Sequence, residues 1–135
     1  MKIAVIYWSG TGNTEMMAQA VGEGAGAEVF SVSDFSGNVA DYDRIAFGCP
    51  AMGDEVLEED EFEPFFTAAE GSLSGKKIAL FGSYDWGDGE WMRKWVERAQ
   101  AAGAEVIGGE GLIANNTPDD DALAACKKLG EDLSK

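Results

Sequence analysis

The chain contains no histidine. Without an imidazole it cannot form a Ser-His or Cys-His catalytic pair or a histidine-bound metal site, so the enzyme classes that depend on these are excluded. Cysteine is also scarce: Cys49 and Cys126 are far apart in the sequence, and neither belongs to a CxxC motif. We expect both to be small buried side chains, as is usual in a reducing compartment.

Basic residues are few, with 10 Lys and Arg against 25 Asp and Glu and a net charge of −15. This balance excludes nucleic acid and anionic membrane surfaces as partners, because phosphate groups require the opposite charge. It suits a partner protein with a basic patch. A solvated acidic surface that keeps the protein soluble explains the same charge.

Long apolar runs are missing too. No stretch approaches the roughly 20 apolar residues that span a bilayer. The first residues, "MKIAVIYW", lead directly into a strand pattern without the small-residue site of a cleavable signal. We therefore expect a cytoplasmic protein.

Apolar runs alternate with amphipathic patterns along the chain, and this alternation predicts strands and helices in turn. The predicted strands are Lys2–Trp8, Ala27–Val32, Arg44–Cys49, Lys77–Ser83 and Ala104–Ile107, the last resuming at Leu112–Ala114. The predicted helices are Thr14–Gly24, Phe62–Glu70, Glu90–Ala101 and Asp119–Leu133. Between the second and third strands, "DFSGNVADYD" predicts only a short turn. The pattern indicates one α/β domain over residues 1–135, with a parallel sheet covered by helices on both faces.

Ligands of such sheets bind beyond the carboxyl ends of the strands, at the point where the strand order reverses. The loops in question read "SGTGNT", "PAMGDEVLEED", "YDWGDG" and "NNTPDDD". The second contains most of Asp54–Glu63, a stretch in which seven of ten residues are acidic.

The loop "SGTGNT" combines small and hydroxyl-bearing residues before a predicted helix. Its backbone N–H groups and the helix dipole can hold a phosphate without a cation. It is not a Walker A loop, since it has no lysine, and Glu15 stands where a dinucleotide fingerprint has its third glycine. Phosphoryl transfer is excluded because cationic stabilisation is missing. An ordinary strand-to-helix turn remains the alternative.

Three segments together resemble the short-chain flavodoxins, including those of clostridia and other anaerobes. They read "YWSGTGNTE", "GCPAMGDEVLEEDEFEPFF" and "GKKIALFGSYDWGDGEWM", in an order and spacing that match along essentially the whole chain. The resemblance implies a flavodoxin-like three-layer sandwich with a five-stranded parallel sheet of order 2-1-3-4-5. It also implies a low-potential carrier of single electrons on non-covalently bound flavin mononucleotide (FMN).

The resemblance assigns the cofactor-binding residues. For the FMN phosphate these are Ser9, Gly10, Thr11, Gly12, Asn13 and Thr14. For the flavin ring they are Ala51, Met52, Gly53, Asp54, Glu55, Ser83, Tyr84, Asp85, Trp86 and Gly87, with Asn116 and Asp119 near the pyrimidine edge. No catalytic or metal-binding residue is predicted.

Within this set, Trp86 is expected to cover the outer face of the ring and Met52 the inner face. The alternatives are an exposed loop aromatic or a core anchor for Trp86, and a core-filling side chain for Met52. Glu55 is expected to accept from the flavin N3–H, or otherwise to be a solvated carboxylate. Trp91 and Trp95 are assigned to helix packing, and Tyr84 to support of its loop.

The "AMGDE" segment bears on the redox mechanism. The resemblance implies that the Gly53 carbonyl turns toward the flavin N5 in the neutral semiquinone, and glycine tolerates the backbone change that this requires. Carboxylates in the flavin loops, Glu58 among them, disfavour the anionic hydroquinone and lower the potential of the second step.

Three positions depart from the family pattern. Asp85 stands where relatives usually have glycine, so we expect a strained loop with a positive φ at this aspartate. Pro50 replaces a hydroxyl residue found in some relatives. The glycine-rich "GEGAGAE" predicts that the first helix ends early.

The first functional hypothesis is a monomeric electron carrier whose acidic rim, around Asp54–Glu63 and Asp85–Glu90, docks with basic patches on reductases and low-potential oxidoreductases. The alternative is an NAD(P)H-dependent FMN or quinone reductase on the same fold, although the candidate loops lack basic residues for its nucleotide. A phospho-accepting response regulator is excluded, because Cys49 and Pro50 stand where it requires an aspartate.

Overall fold

The computed structural model describes residues 1–135 and shows a parallel sheet between two layers of helices. The strands are β1 (Ile3–Tyr7), β2 (Glu28–Ser31), β3 (Arg44–Gly48), β4 (Lys77–Tyr84), β5 (Glu105–Val106) and β6 (Leu112–Asn115). The helices are α1 (Asn13–Ala25), α2 (Phe62–Ala69), α3 (Glu90–Ala101) and α4 (Asp120–Ser134). None of them combines the length and the apolar composition that a membrane crossing requires.

The strand order is β2-β1-β3-β4-β5, and β6 pairs with the carboxyl-terminal half of β4. The predicted order 2-1-3-4-5 is therefore confirmed, with the fifth position filled by two short strands. The chain moves outward in opposite directions from β1, so the carboxyl ends of β1 and β3 flank the point where the order reverses.

Alternate residues of the strands enter two separate cores, as expected for a sheet that is buried on both faces. In β1, Ala4 and Ile6 belong to the core under α2 and α3, whereas Val5 and Tyr7 belong to the core under α1 and α4. Phe62, Phe66, Trp91 and Trp95 fill the first core. The second core is smaller and contains Met17, Val21, Cys126 and Leu133.

The sequence predicts every helix and strand to within one residue at each end. The link between β2 and β3 forms only a single 3₁₀ turn at Val39–Asp41, as predicted. The prediction that the first helix ends early is wrong: α1 continues to Ala25, and Gly26 ends it in the left-handed region with φ 61°. A glycine at that position terminates the helix without strain.

The reason the glycine-rich segment stays helical is its contact with α4. A Cβ on Gly24 would overlap the carbonyl oxygen of Lys127, and a Cβ on Gly130 would overlap that of Val21. The two helices therefore cross with their backbones in contact, which only glycine permits at these positions.

We predict that Gly24→Ala lowers the free energy of unfolding by about 1–3 kcal/mol, because the added methyl pushes α1 away from α4. Chemical denaturation of the two proteins measures the difference. The matched control is Gly71→Ala, which enters open space and should be neutral or stabilising by up to about 1 kcal/mol. If both variants gain stability, the helices are not in backbone contact.

Candidate functional site

The carboxyl ends of β1, β3 and β4 are held together by backbone hydrogen bonds that continue past the strands. The Trp8 N–H donates to the Gly48 carbonyl over 3.0 Å, and the Cys49 N–H donates to Phe81 over 3.1 Å. One step further, the Ala51 N–H donates to the Ser83 carbonyl over 3.0 Å. The loops that follow these strands therefore start from adjacent, fixed positions.

The first loop leaves several backbone donors unused. The Ser9 hydroxyl accepts the N–H groups of Gly12 and Glu15 over 3.1 and 3.2 Å, which folds the loop around the start of α1. Gly12 caps the helix with φ 96°. The backbone N–H groups that find no acceptor within the chain are those of Ser9, Gly10, Thr11 and Thr14. Free donors at a helix N-terminus form an anion site.

The Thr14 hydroxyl braces this loop against β4. It lies 2.9 Å from the Ser83 hydroxyl and accepts the Ser83 N–H over 3.3 Å, and both residues are buried. Beside this pair lies a cleft of about 210 Å³. Its walls come from all three loops: Trp8, Ser9, Gly10, Thr11, Thr14, Pro50, Ala51, Met52, Ser83, Tyr84 and Asp85.

The second loop begins with a tight hairpin. Met52 and Val56 exchange two backbone hydrogen bonds of 2.8 and 3.0 Å. Within the turn between them, Gly53 has φ 50° and Glu55 has φ 57°. A glutamate in the left-handed region is strained, and such strain is typical of functional loops. Met52 is 36% exposed, so the core-filling alternative is wrong.

Glu55 contributes a buried carboxylate oxygen to this site. Its Oε1 is shielded from solvent and has no hydrogen-bond partner. The carboxylate lies against the backbone of Gly87, where a Cβ would overlap it. Gly87 has φ 91° and leaves the space that the carboxylate fills. An unpaired buried carboxylate is costly, so this oxygen is a ready acceptor for a ligand N–H.

The third loop presents Trp86, which is 60% exposed and therefore not a core anchor. The positive φ expected at Asp85 is wrong. The left-handed residues are Gly87 and Gly89, and Asp85 has an ordinary φ. These two glycines supply the left-handed backbone that the turn requires, so Asp85 lies in the loop without strain. The prediction that Tyr84 supports this loop agrees with its ring lying 5.6 Å from that of Trp91.

The segment after β6 lies behind the third loop. The Asn116 N–H and the Asn115 Nδ2 both donate to the Tyr84 carbonyl, over 2.8 and 3.2 Å. The Asn116 side chain donates to Asn115 Oδ1, and the Asp119 carboxylate caps α4 by accepting the Ala122 N–H. These side chains are therefore engaged within the chain and do not line the cleft.

Sequence reasoning missed several residues that shape the site. Glu58 was placed in a flavin loop, but its carboxylate is turned inward, where it accepts N–H groups at the start of α2. Trp8, to which we assigned no role, donates to Glu61 over 3.3 Å. Asn115 lies in the "NNTPDDD" loop, but the sequence predicts no role for it. The acidic run Asp54–Glu63 carries no sign of which carboxylate caps α2, because burial is a property of the folded chain.

The charge around the cleft has one sign. None of the lining residues is basic, whereas exposed carboxylates surround the cleft on the second and third loops. Arg93, the cation of α3 that is nearest in sequence to the third loop, is already paired with Asp88 at 3.0 Å. A larger groove of about 790 Å³ lies between α1 and α4, but its walls are mainly apolar and its two charged residues, Glu23 and Lys127, are paired with each other at 3.3 Å.

The structure thus gathers most of the predicted site at one edge of the sheet. Nine predicted residues line the cleft itself. Gly12 and Asn13 lie in its first loop, Gly53, Asp54 and Glu55 in its hairpin, and Trp86 and Gly87 in its third loop. Asn116 and Asp119 are the two that lie outside these three loops, in the segment after β6.

Comparison with known proteins agrees with this geometry. The flavodoxin family model matches residues 5–129. The chain is 50% identical to a flavodoxin of Megasphaera elsdenii, over 98% of each chain. It is 45% identical to a flavodoxin of Clostridium beijerinckii, over 96% of this chain and 97% of the other. The solution structure of two-electron reduced M. elsdenii flavodoxin superposes with a TM-score of 0.81 at 46% identity, with 98% of each chain covered.

The fold, the cleft at the reversal of strand order and these identities lead to one conclusion. The relatives are flavodoxins, which are electron-transfer proteins rather than enzymes. The chain belongs to the flavodoxin family, whose members carry electrons on FMN.

Proposed function

We propose that residues 1–135 form one FMN-binding domain in which the first loop holds the phosphate. The support is the set of free N–H groups at Ser9, Gly10, Thr11 and Thr14, in a loop that leads into the positive end of α1. The hydroxyls of Ser9 and Thr14 are used to shape the loop. The phosphate site therefore consists mainly of backbone dipoles.

The second and third loops hold the ring. We expect Met52 and Trp86 to contact the two faces of the ring, because both are exposed apolar side chains of these loops and flat apolar contact is what an aromatic ring requires. Glu55 Oε1 is the acceptor for an N–H on the ring edge. This oxygen is the single observation that carries the proposal, because a buried carboxylate oxygen without a partner fits a ligand that brings a donor.

We predict that FMN binds more tightly as salt is raised, while riboflavin affinity stays constant. FMN carries a phosphate dianion into a protein of net charge −15 whose phosphate loop has no cation. Salt screens that repulsion as the Debye length falls from about 30 Å at 10 mM to about 8 Å at 150 mM. Quenching of flavin fluorescence on titration with the apoprotein measures both affinities.

Riboflavin is the internal control in this titration, since it has the same ring and no phosphate. FMN affinity that falls with salt indicates a cationic phosphate site and contradicts the proposal. Failure of both flavins to bind contradicts the proposed function altogether.

FMN supplies the chemistry of one-electron transfer when it is bound, and the hairpin tunes it. We propose that the Gly53 carbonyl is the acceptor that responds to the protonation of the ring. The left-handed φ of 50° at Gly53 supports this role, because a glycine turns its peptide there at little cost. Asp54 and Asp85, both exposed, add negative charge nearby and make a further negative charge on the ring unfavourable.

Gly53→Thr is expected to narrow the separation between the two one-electron midpoint potentials. A β-branched residue resists the left-handed turn, so the carbonyl loses a hydrogen bond worth about 0.5–1.5 kcal/mol. For one electron this corresponds to roughly 20–65 mV. Spectroelectrochemical titration measures both midpoints.

The control for this substitution is Gly75→Thr. Gly75 also has a positive φ, 75°, with open space around it, and lies before β4 at the opposite edge of the sheet. It should lower stability as Gly53→Thr does and leave both potentials unchanged. Equal potentials in wild type and Gly53→Thr would exclude the carbonyl from the mechanism.

Flavodoxins pass electrons to partner proteins, and we propose that the partners of this chain present basic patches. The exposed carboxylates of Asp54, Asp60, Asp85 and Asp88 surround the cleft and support this assignment. We also propose that the protein acts as a monomer in the cytoplasm. A net charge of −15 opposes self-association, and both cysteines are free thiols.

For the FMN-loaded, reduced protein, we predict that electron transfer to the basic protein cytochrome c slows as salt is raised, whereas transfer to the anion ferricyanide accelerates. Salt screens both the attraction to cytochrome c and the repulsion of ferricyanide. The association rate with cytochrome c should therefore fall by a factor on the order of 10–10³. Stopped-flow absorbance measures both rates.

The double variant Asp54→Asn/Asp60→Asn should flatten both salt dependences. The matched control is Asp34→Asn/Glu131→Gln, which removes the same charge from exposed positions outside the cleft loops. An equal effect of the two pairs would show that net charge, and not a docking surface, governs the encounter.

The rival activity, an NAD(P)H-dependent reductase, is not favoured. Such an enzyme needs cations for the phosphates of its second nucleotide, and the residues that line the cleft include none.

A further inference from the structure

Glu58 is an acidic residue that the folded chain buries, with 6% of its surface exposed. Its carboxylate accepts three backbone N–H groups over 2.8 Å each: Asp60 at Oε2, and Glu61 and Phe62 at Oε1. Burial raises the pKa of Glu58, but the three N–H groups outweigh it and the net pKa is lowered. The side chain is therefore an ionised anchor for the start of α2.

The backbone of Glu58 fixes the end of the Met52–Val56 hairpin. Its N–H donates to the Cys49 sulfur over 3.3 Å, at a residue that is wholly buried. Burial raises the pKa of the Cys49 thiol, so the sulfur stays neutral. The hairpin is thus fixed by the Ala51 bond to Ser83 at its start and by Glu58 at its end.

The same carboxylate reaches the phosphate loop through Glu61. It holds the Glu61 backbone, and the Glu61 side chain accepts from Trp8 Nε1 over 3.3 Å. The Trp8 ring in turn packs beside Gly10, where a Cβ would lie 3.0 Å from its Cη2. Glu58 is thus connected to both halves of the cleft, although it lines neither.

We infer that Glu58 is a positioning residue for the whole cofactor site, holding the ring hairpin through Cys49 and the phosphate loop through Glu61 and Trp8. The inference rests on the proposal that these loops bind FMN. A residue that acts through geometry must be separated from one that acts through its charge, because removing any nearby carboxylate also changes the local potential.

Glu59 provides the matched comparison. It is adjacent, exposed and makes no hydrogen bond with its carboxylate. Glu58→Gln and Glu59→Gln remove the same charge, but only the first disturbs the anchor, since an amide replaces one acceptor oxygen by a donor.

The experiment measures the affinities for riboflavin and FMN and both midpoint potentials. Glu58→Gln should lower the affinities for riboflavin and FMN by about tenfold or more, which is the loss expected when a charged acceptor is removed from backbone donors. It should also change the separation of the two potentials. Glu59→Gln should leave riboflavin affinity within about twofold and shift both potentials in the same direction.

Two further variants test the two connections without a change of charge. Cys49→Ala should lower the affinity for riboflavin. Its control is Cys126→Ala, at the other fully buried free thiol, in the opposite core. Trp8→Phe, which removes the donor to Glu61, should lower the affinity for FMN more than the affinity for riboflavin. These variants decide the question if Glu58→Gln does not fold.

The inference is wrong if Glu58→Gln and Glu59→Gln change the flavin affinities and the midpoint potentials equally. It is also wrong if neither Cys49→Ala nor Cys126→Ala changes the affinity for riboflavin. In either case wild-type FMN binding stands. Wild-type protein that binds neither flavin instead contradicts the proposed function.

Discussion

The hydrogen bonds that extend the sheet beyond the carboxyl ends of β1, β3 and β4 are the constraint on which the site depends. Neighbouring strands lie about 4.8 Å apart, so loops that leave from paired positions start in contact. The close approach of β3 to β4 needs glycine, since a Cβ on Gly82 would overlap the Cys49 carbonyl. The bonds from Trp8 to Gly48 and from Ala51 to Ser83 then fix where the three loops begin.

In the proposed phosphate site the donors are backbone N–H groups, and not charged side chains. This choice lets an acidic protein of net charge −15 hold an anion without a single base in the cleft. Among the surrounding acids, Asp54, Asp60 and Asp85 have no basic partner, whereas Asp88 is paired with Arg93. Under the proposed function these carboxylates have two effects: they make negative charge on the ring unfavourable, and they attract partners of opposite charge.

Polar groups buried near the cleft are paired inside the protein, with one exception. Thr14 and Ser83 bond to each other, and Glu58 bonds to backbone N–H groups, as burial requires. The exception is Glu55 Oε1. It lies in a strained turn and against Gly87, so the fold holds an unsatisfied acceptor at the position proposed for the edge of the ring. The other buried side-chain atom without a partner, Trp95 Nε1, lies in the core under α2 and α3, so Glu55 Oε1 is the unpaired group that lies beside the cleft loops.

The sequence by itself determined the strands, the helices and the assignment of Trp91 and Trp95 to the core, because hydrophobic periodicity is a local property. It also located the three loops at one edge, since parallel topology places carboxyl ends together. Only the tertiary structure decided which acid among similar neighbours is an anchor. Glu58 and Glu59 are identical side chains in one acidic run, and they differ because Glu58 is buried and its carboxylate accepts three backbone N–H groups. Contacts between residues that are far apart in the sequence cannot be read from a local pattern. Roles that depend on such contacts are therefore decided only in the folded chain.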